Sequence, residues 1–318
     1  MDLTGLYVPL ITPFTASGEL APDALEALAH QVLDDGAAGV VALGTTGEPA
    51  TLTEAERRRV LDICSRVCRE HSAALIAGAG SNDTAASARA LAGLSAWPEV
   101  SAALTVVPYY TRPSEAGVVA HFTELAAASP VPLVIYNIPQ RTGVAIGWRA
   151  LRRLAGLPNI AGMKQAVGGV DADTVMLMGD VPEGFAVLGG DDLFASPLLA
   201  LGASGAIMAS AHVCTSAFAA MIAAWRAGAA GPARDLGHRL TGPAAALFAE
   251  PNPTVIKGVL HAQGRIPSPA VRLPLLAASA ASVAAAQEAL AGFASAGMSA
   301  GMPAEAPPAG GSQANAAA

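Results

Sequence analysis

Leu133-Val134-Ile135-Tyr136, a helix-like stretch over 147–156, and Ile160-Ala161-Gly162-Met163-Lys164 follow one another within residues 133–164. Neither apolar run alternates with polar residues. Both faces of each are therefore expected to be buried, as in a parallel sheet, with the helix between them as the crossover. The same unit recurs on either side. Further runs lie at Leu6–Ile11, Gly39–Leu43, Ala74–Ala77, Ala102–Val107, Phe185–Leu188 and Ala206–Met208.

Helices are predicted over 22–36, where Pro22 suits a first turn, and over 53–70, where Thr53 and Glu56 form a capping-box pair. Others are predicted over 114–128, 170–179, 191–201 and 214–227. Eight strands alternating with helices predict an α/β fold, a (β/α)8 TIM barrel. A doubly wound sheet is the rival, but the chain offers only Gly78-Ala79-Gly80 toward a dinucleotide fingerprint. Beyond residue 230 the pattern is purely helical, roughly 232–249, 253–263 and 274–295. The expected organisation is a catalytic barrel over 1–230, a C-terminal helical extension over 231–296, and a disordered low-complexity tail over 297–318, built from Ala, Gly, Pro and Ser.

Composition narrows the function. The chain has 318 residues, 53% hydrophobic and 14% charged, with a net charge of −7. That balance, without a basic stretch, excludes a nucleic-acid binder. Three cysteines do not read as a disulfide framework. Met1-Asp2-Leu3-Thr4 has neither a basic n-region nor a secretory h-region, so a cytoplasmic protein is expected. From Leu193 to Trp225 no residue is charged. Pro197, Gly202, Gly205 and His212 interrupt that stretch, which reads as helix, buried strand and helix rather than as a membrane span. Only two of the 18 basic residues are lysine, Lys164 and Lys257.

Functional residues of such a barrel lie at the C-terminal ends of its strands. Gly44-Thr45-Thr46-Gly47-Glu48 follows the second run, Pro108-Tyr109-Tyr110 the fourth, and Asn137-Ile138-Pro139 then Arg141-Thr142-Gly143 the fifth. The sixth ends in Lys164, and the seventh runs into Gly189-Gly190-Asp191-Asp192. The eighth ends near Ile207 and Ser210. A lysine closing a buried run is unusual. Burial favours the neutral amine, which can attack a ketone and form a Schiff base; the other reading is a buried lysine–carboxylate pair. A phenol on the same rim, Tyr136 or Tyr110, can shuttle the protons that imine chemistry needs. The Thr45–Thr46 pair between glycines offers N–H groups and hydroxyls to a small carboxylate. Tyr7 reads as packing, and Lys257 as a structural or surface residue of a helix. Cys64, Cys68 and His71 share one helical stripe and read as core, not as a metal site. No metal ligand is assigned.

Taken in order, Gly44-Thr45-Thr46-Gly47-Glu48, Tyr136-Asn137-Ile138-Pro139 and Gly162-Met163-Lys164 give the chain a close resemblance, over about residues 4–290, to the dihydrodipicolinate synthase and N-acetylneuraminate lyase family of class I pyruvate aldolases. Pro108-Tyr109-Tyr110 and Pro251-Asn252-Pro253 extend it. The resemblance implies that Lys164 forms the Schiff base with pyruvate and that Tyr136 transfers protons. It implies that Thr45 links Tyr136 to Tyr110, a residue that reaches the site of a neighbouring subunit, and that Thr45 and Thr46 hold the pyruvate carboxylate. Gly190 and Ile207 would line the pyruvate site, and Arg141 would grip a carboxylate on the incoming aldehyde with its bidentate fork. No cofactor is implied, because pyruvate is bound covalently as substrate. A homotetramer, a dimer of dimers, is the implied assembly.

Arg141-Thr142-Gly143 tilts the resemblance toward the synthase branch, which condenses pyruvate with L-aspartate-4-semialdehyde on the way to diaminopimelate and lysine. An aldolase for a sugar acid or 2-oxo acid, and a catalytically silent paralogue that binds a small acid, are the alternatives. Two departures stand out. Gln165 occupies a position where the family usually has an acidic residue. The lysine-inhibition site of the family is matched by Ala86, Glu54 and Arg57, with Asn82 and Tyr109 retained, so it lacks the glutamate that would pair with the ammonium of lysine. Weak or absent inhibition by lysine is expected.

Overall fold

A computed structural model describes residues 3–299. Eight strands close into a barrel in sequence order: β1 Gly5–Pro9, β2 Gly39–Ala42, β3 Ala74–Gly78, β4 Val100–Val106, β5 Leu133–Asn137, β6 Ile160–Gln165, β7 Ala186–Gly189 and β8 Gly205–Ile207. Every neighbouring pair is parallel, and β8 returns to β1 through Leu6 opposite Ala206. Each predicted run overlaps one of these strands, so the barrel expectation holds and the doubly wound sheet is excluded.

The apolar runs lack alternation because both strand faces are covered. Tyr7, Val41, Ile76, Leu104, Val134, Leu188 and Ile207 fill the barrel interior. Their neighbours Leu6, Val40, Leu75, Ala103, Ile135 and Val187 face the surrounding helices. Tyr7 is buried within the barrel, as a packing residue should be. The helix Glu54–His71 begins with the expected capping box: Thr53 accepts from the Glu56 amide while Glu56 accepts from the Thr53 amide. It buries Cys64 and Cys68 in the core, whereas His71 turns to a hydrogen bond with His30.

Beyond the helix Thr215–Arg226, three more helices follow, Ala230–Leu247, Thr254–Ala262 and Ala280–Ser299. Leu247, Val255, Ile256, Val259 and Leu260 pack on Ile11, Leu28 and Ala209. Ile11 and Ala209 lie just past β1 and β8, so this cluster seats the extra helices at the C-terminal end of the barrel.

Several expectations need correction. A helix at Thr84–Gly93, capped by Asp83, was not anticipated between β3 and β4. Its alanine-rich sequence has little contrast between faces. The 191–201 segment is a 3-10 turn at Asp192–Phe194 followed by a helix from Ala195 to Ala200. The final helix starts at Ala280 rather than at 274; Ser279 caps it, its Oγ accepting from the Ser282 amide at 3.1 Å. That helix continues to Ser299, past the expected boundary at 297; the rest of the low-complexity tail, 300–318, lies outside the described residues. Among the described residues, no helix is long and apolar enough to cross a membrane.

Candidate active site

Parallel register sets the centre of the site. Tyr136 on β5 is the partner of Lys164 on β6, and Lys164 is the partner of Leu188 on β7. Partners in a parallel pair point to the same face, here the barrel interior. Lys164 is buried, and its Nζ lies 4.4 Å from the centre of the Tyr136 ring. No carboxylate forms a salt bridge with it among the described residues, so the buried-ion-pair reading fails for Lys164.

The surroundings fix the lysine stem. Gly190 donates its N–H to the Gln165 carbonyl at 2.7 Å. A Cβ on Gly190 would lie 2.8 Å from Lys164 Cγ, so only glycine lets the turn after β7 pack this closely. Asp191 accepts from the Gly168 amide at 2.7 Å, and Asp192 accepts from the Ser210 amide at 2.6 Å. Burial pushes both carboxyls up, against the pull of those amides and of Lys164. Ile207 is buried in the barrel wall at the end of β8.

Gln165 is buried and is hydrogen-bonded at both ends of its amide. Asn137 Nδ2 donates to its Oε1 at 2.9 Å, and its Nε2 donates to Thr174 Oγ1 at 2.8 Å. Thr174 passes its own proton to Asp171 at 2.7 Å. The chain of donors and acceptors satisfies the neutral amide at position 165 and leaves the Asn137 Oδ1 at its head unpaired.

Above this centre opens a cavity of about 660 Å³. Thr45, Tyr136, Arg141 and Asn252 line it, with Tyr109 at its edge toward Arg57 and Ala86. Arg141 is exposed and forms no ion pair among the described residues. Tyr110 is 87% exposed at a φ of 70°, a costly conformation for a bulky residue. It is not among the lining residues. Thr45 is exposed, and among the described residues no hydrogen bond joins it to Tyr136 or Tyr110. The single chain thus brings Lys164, Tyr136 and Gly190 together, with Ile207 in the apolar cluster of Tyr136, sets Thr45 and Arg141 on the cavity lining with Thr46 buried, and leaves Tyr110 outside.

Lys257 was open between a surface and a structural role, and the structure decides for the latter. It is fully buried, and its Nζ donates to Glu48 Oε1 at 2.5 Å and to the Ala270 carbonyl at 2.9 Å. The Phe14 ring centre lies 4.1 Å away. Burial outweighs the nearby carboxylate and holds the Lys257 ammonium down to about 8. The buried lysine–carboxylate pair considered for Lys164 therefore exists, on the other lysine. Asn252 was also missed as a site residue; its Nδ2 donates to Thr46 Oγ1 at 2.9 Å.

The family model of the dihydrodipicolinate synthetase family matches residues 2–291. The chain belongs to this family. A 4-hydroxy-tetrahydrodipicolinate synthase of Syntrophus aciditrophicus is 40% identical over 273 residues, covering 85% of this chain and 91% of the relative. One from Moorella thermoacetica is 40% identical over 274 residues, covering 86% and 92%. The crystal structure of the chloride-inhibited dihydrodipicolinate synthase from Acinetobacter baumannii, complexed with pyruvate, superposes with a TM-score of 0.88 at 32% identity, covering 92% of this chain and 99% of that one.

Proposed function

We propose that this chain is a 4-hydroxy-tetrahydrodipicolinate synthase, a lyase that condenses pyruvate with L-aspartate-4-semialdehyde through an imine on Lys164. The carrying observation is a buried lysine that makes no salt bridge among the described residues, set 4.4 Å from a tyrosine ring at the C-terminal end of a barrel. The names of the relatives at 40% identity support the same reading.

Lys164 Nζ attacks the ketone carbon of pyruvate, and water leaves as the C=N bond forms. The protonated imine draws electrons from the pyruvate methyl group, which loses a proton and becomes an enamine. The enamine carbon bonds to the aldehyde carbon, whose oxygen takes up a proton. The amine of the semialdehyde then adds to the imine carbon, the bond to Lys164 breaks, and the cyclic product leaves. Tyr136 is the proton carrier at the imine. Thr45 and Thr46 hold the pyruvate carboxylate, Gly190 and Ile207 bound its pocket, and Arg141 receives the carboxylate of the semialdehyde. The electron sink is the imine itself, so the scheme calls for no metal or organic cofactor.

Residues 1–230 are the catalytic barrel and 231–296 an extension that completes it. The exposed, strained Tyr110 suits insertion into a neighbouring subunit, where it would meet Thr45; a homotetramer built as a dimer of dimers would bury it. A cytoplasmic location fits the substrates of this scheme.

Borohydride reduction in the presence of pyruvate tests the chemistry. The expected product is a covalent pyruvate adduct on Lys164, seen by mass spectrometry; an unmodified Lys164 would sink the scheme. Turnover of aspartate semialdehyde, measured against N-acetylneuraminate and 2-keto-3-deoxy acids, tests the substrate. Faster turnover of a sugar acid would move the assignment to another branch of the family.

A further inference from the structure

The turn that carries Thr45 and Thr46 combines its own backbone hydrogen bonds with ties from distant parts of the chain. It is bracketed by two non-glycine residues in the left-handed region, Leu43 at φ 56° and Glu48 at φ 52°. Such conformations persist only where the surroundings over-determine them. Gly78 on β3 abuts the Leu43 carbonyl so closely that any Cβ there would collide with it. At the other end the bonds come from far along the chain.

Three polar groups of the turn are tied in succession. Thr46 Oγ1 accepts from Asn252 at 2.9 Å. The Gly47 carbonyl accepts from Thr12 Oγ1 at 2.7 Å. Glu48 Oε1 accepts from Lys257, and its Oε2 accepts from the Arg272 amide at 3.0 Å. The Arg272 guanidinium continues the brace to the Thr51 carbonyl at 2.9 Å and to Glu56. Its Cζ and Lys257 Nζ both lie within 4.3 Å of the Phe14 ring centre. Burying an ion pair brings little net stability against a well-packed apolar pair. Its geometric yield here is specific: it pins the one residue whose backbone closes the Thr45–Gly47 turn, since the Glu48 amide donates to the Thr45 carbonyl at 3.1 Å.

We propose that Lys257 and Asn252 are positioning residues for the pyruvate carboxylate. They act through Glu48 and Thr46, and they set the threonine turn at the distance from Lys164 that imine formation requires. The inference rests on the aldolase reading above. Lys257 is fully buried behind the turn, whereas Asn252 also lines the cavity; each acts on the half of the site that binds pyruvate and not on the half that receives the aldehyde.

The test is the split between the two substrates. Asn252→Ala, at a half-buried position, removes a single hydrogen bond, and Lys257→Met combined with Glu48→Gln removes the ion pair without stranding a buried charge. In both, the KM for pyruvate is expected to rise by roughly tenfold, the worth of one hydrogen bond, while the KM for the aldehyde stays within about twofold. The second-order rate of borohydride trapping by pyruvate should fall in proportion. Circular dichroism and thermal melts establish that the variants are folded. If the pair were only a structural staple, melting would drop and both KM values would be unchanged in the folded fraction; that result, or an equal rise in both, overturns the proposal. Trapping on the unmodified protein separates the two readings. An adduct there with unchanged pyruvate KM in Asn252→Ala leaves the aldolase standing and removes the positioning role, whereas no adduct removes both.

Discussion

Tyr136 and Lys164 are register partners on adjacent parallel strands, and the lysine Nζ sits 4.4 Å from the centre of the tyrosine ring. The pair is thus held by backbone hydrogen bonds rather than by loop contacts, and its geometry should survive substitution of either side chain. Tyr136→Phe keeps the ring and removes only the hydroxyl. It is expected to lower kcat by about 10²- to 10⁴-fold while pyruvate can still be trapped on Lys164. Loss of trapping together with turnover would mean that the ring hydroxyl serves imine formation itself.

Gln165 tests whether a neutral residue is needed beside the lysine. Glutamate there could still accept from Asn137 but could not donate to Thr174, whose own proton goes to Asp171. Gln165→Glu is expected to destabilise the protein by about 1–3 kcal/mol, read as a lower urea midpoint at unchanged slope. A variant as stable as the parent would show that the network re-forms around a charge.

His212 supplies a pH dependence with a definite sign. Its Nε2 accepts from the Ile11 amide at 3.1 Å and its Nδ1 faces the Ala209 carbonyl at 2.8 Å, so the buried ring is neutral with its proton on Nδ1. Burial lowers its pKa from 6.5 to about 4. Between those values the unfolded chain binds a proton that the folded one refuses, so stability falls as pH drops from 6.5 toward 4, by on the order of 3 kcal/mol. His212→Gln retains an acceptor for Ile11 and does not titrate. Its melting temperature should decline less over the same interval; parallel curves would contradict the assignment.

Lysine inhibition should be weak or absent. Ala86, Arg57 and Tyr109 line the outer cavity, but no carboxylate stands at position 86, and Glu54 is engaged by Arg58 at 2.7 Å. An initial-rate assay with millimolar lysine should show little change, and potent inhibition at micromolar lysine would refute the expectation.

If Tyr110 completes a partner's site, Tyr110→Phe should lower kcat by at least about tenfold without changing the sedimentation coefficient. A species shown by sedimentation to be monomeric should be nearly inactive. Full activity in a stable monomer would rule out that placement.

How much of this was legible in the sequence depended on distance along the chain. Lys164 and Tyr136 announced themselves because each closes an apolar run, and strand ends are where a barrel concentrates chemistry. The barrel was legible because burial on two faces removes alternation from every strand. The helix Thr84–Gly93 was hidden by its alanines, with Asp83 as its one cap signal. Lys257 was opaque for a different reason: its partner Glu48 is 209 positions away, and nothing local to either residue marks the pair. Asn252 belonged to a recognisable Pro-Asn-Pro motif, yet only the fold connects that motif to Thr46.

The order of synthesis gives the brace around Thr46 and Glu48 a further meaning. A growing chain that has reached residue 250 already contains all eight strands, Lys164 and the tyrosine beside it. It does not yet contain the donors of Asn252, Lys257 and Arg272, so the threonine turn is made early and shaped last. On the proposed role, a nascent or truncated barrel would carry Lys164 without the bonds that fix the threonine turn. Competence would then arrive only with Asn252, the helix Thr254–Ala262 and Arg272, and that segment would act as the key that turns a finished barrel into a finished site.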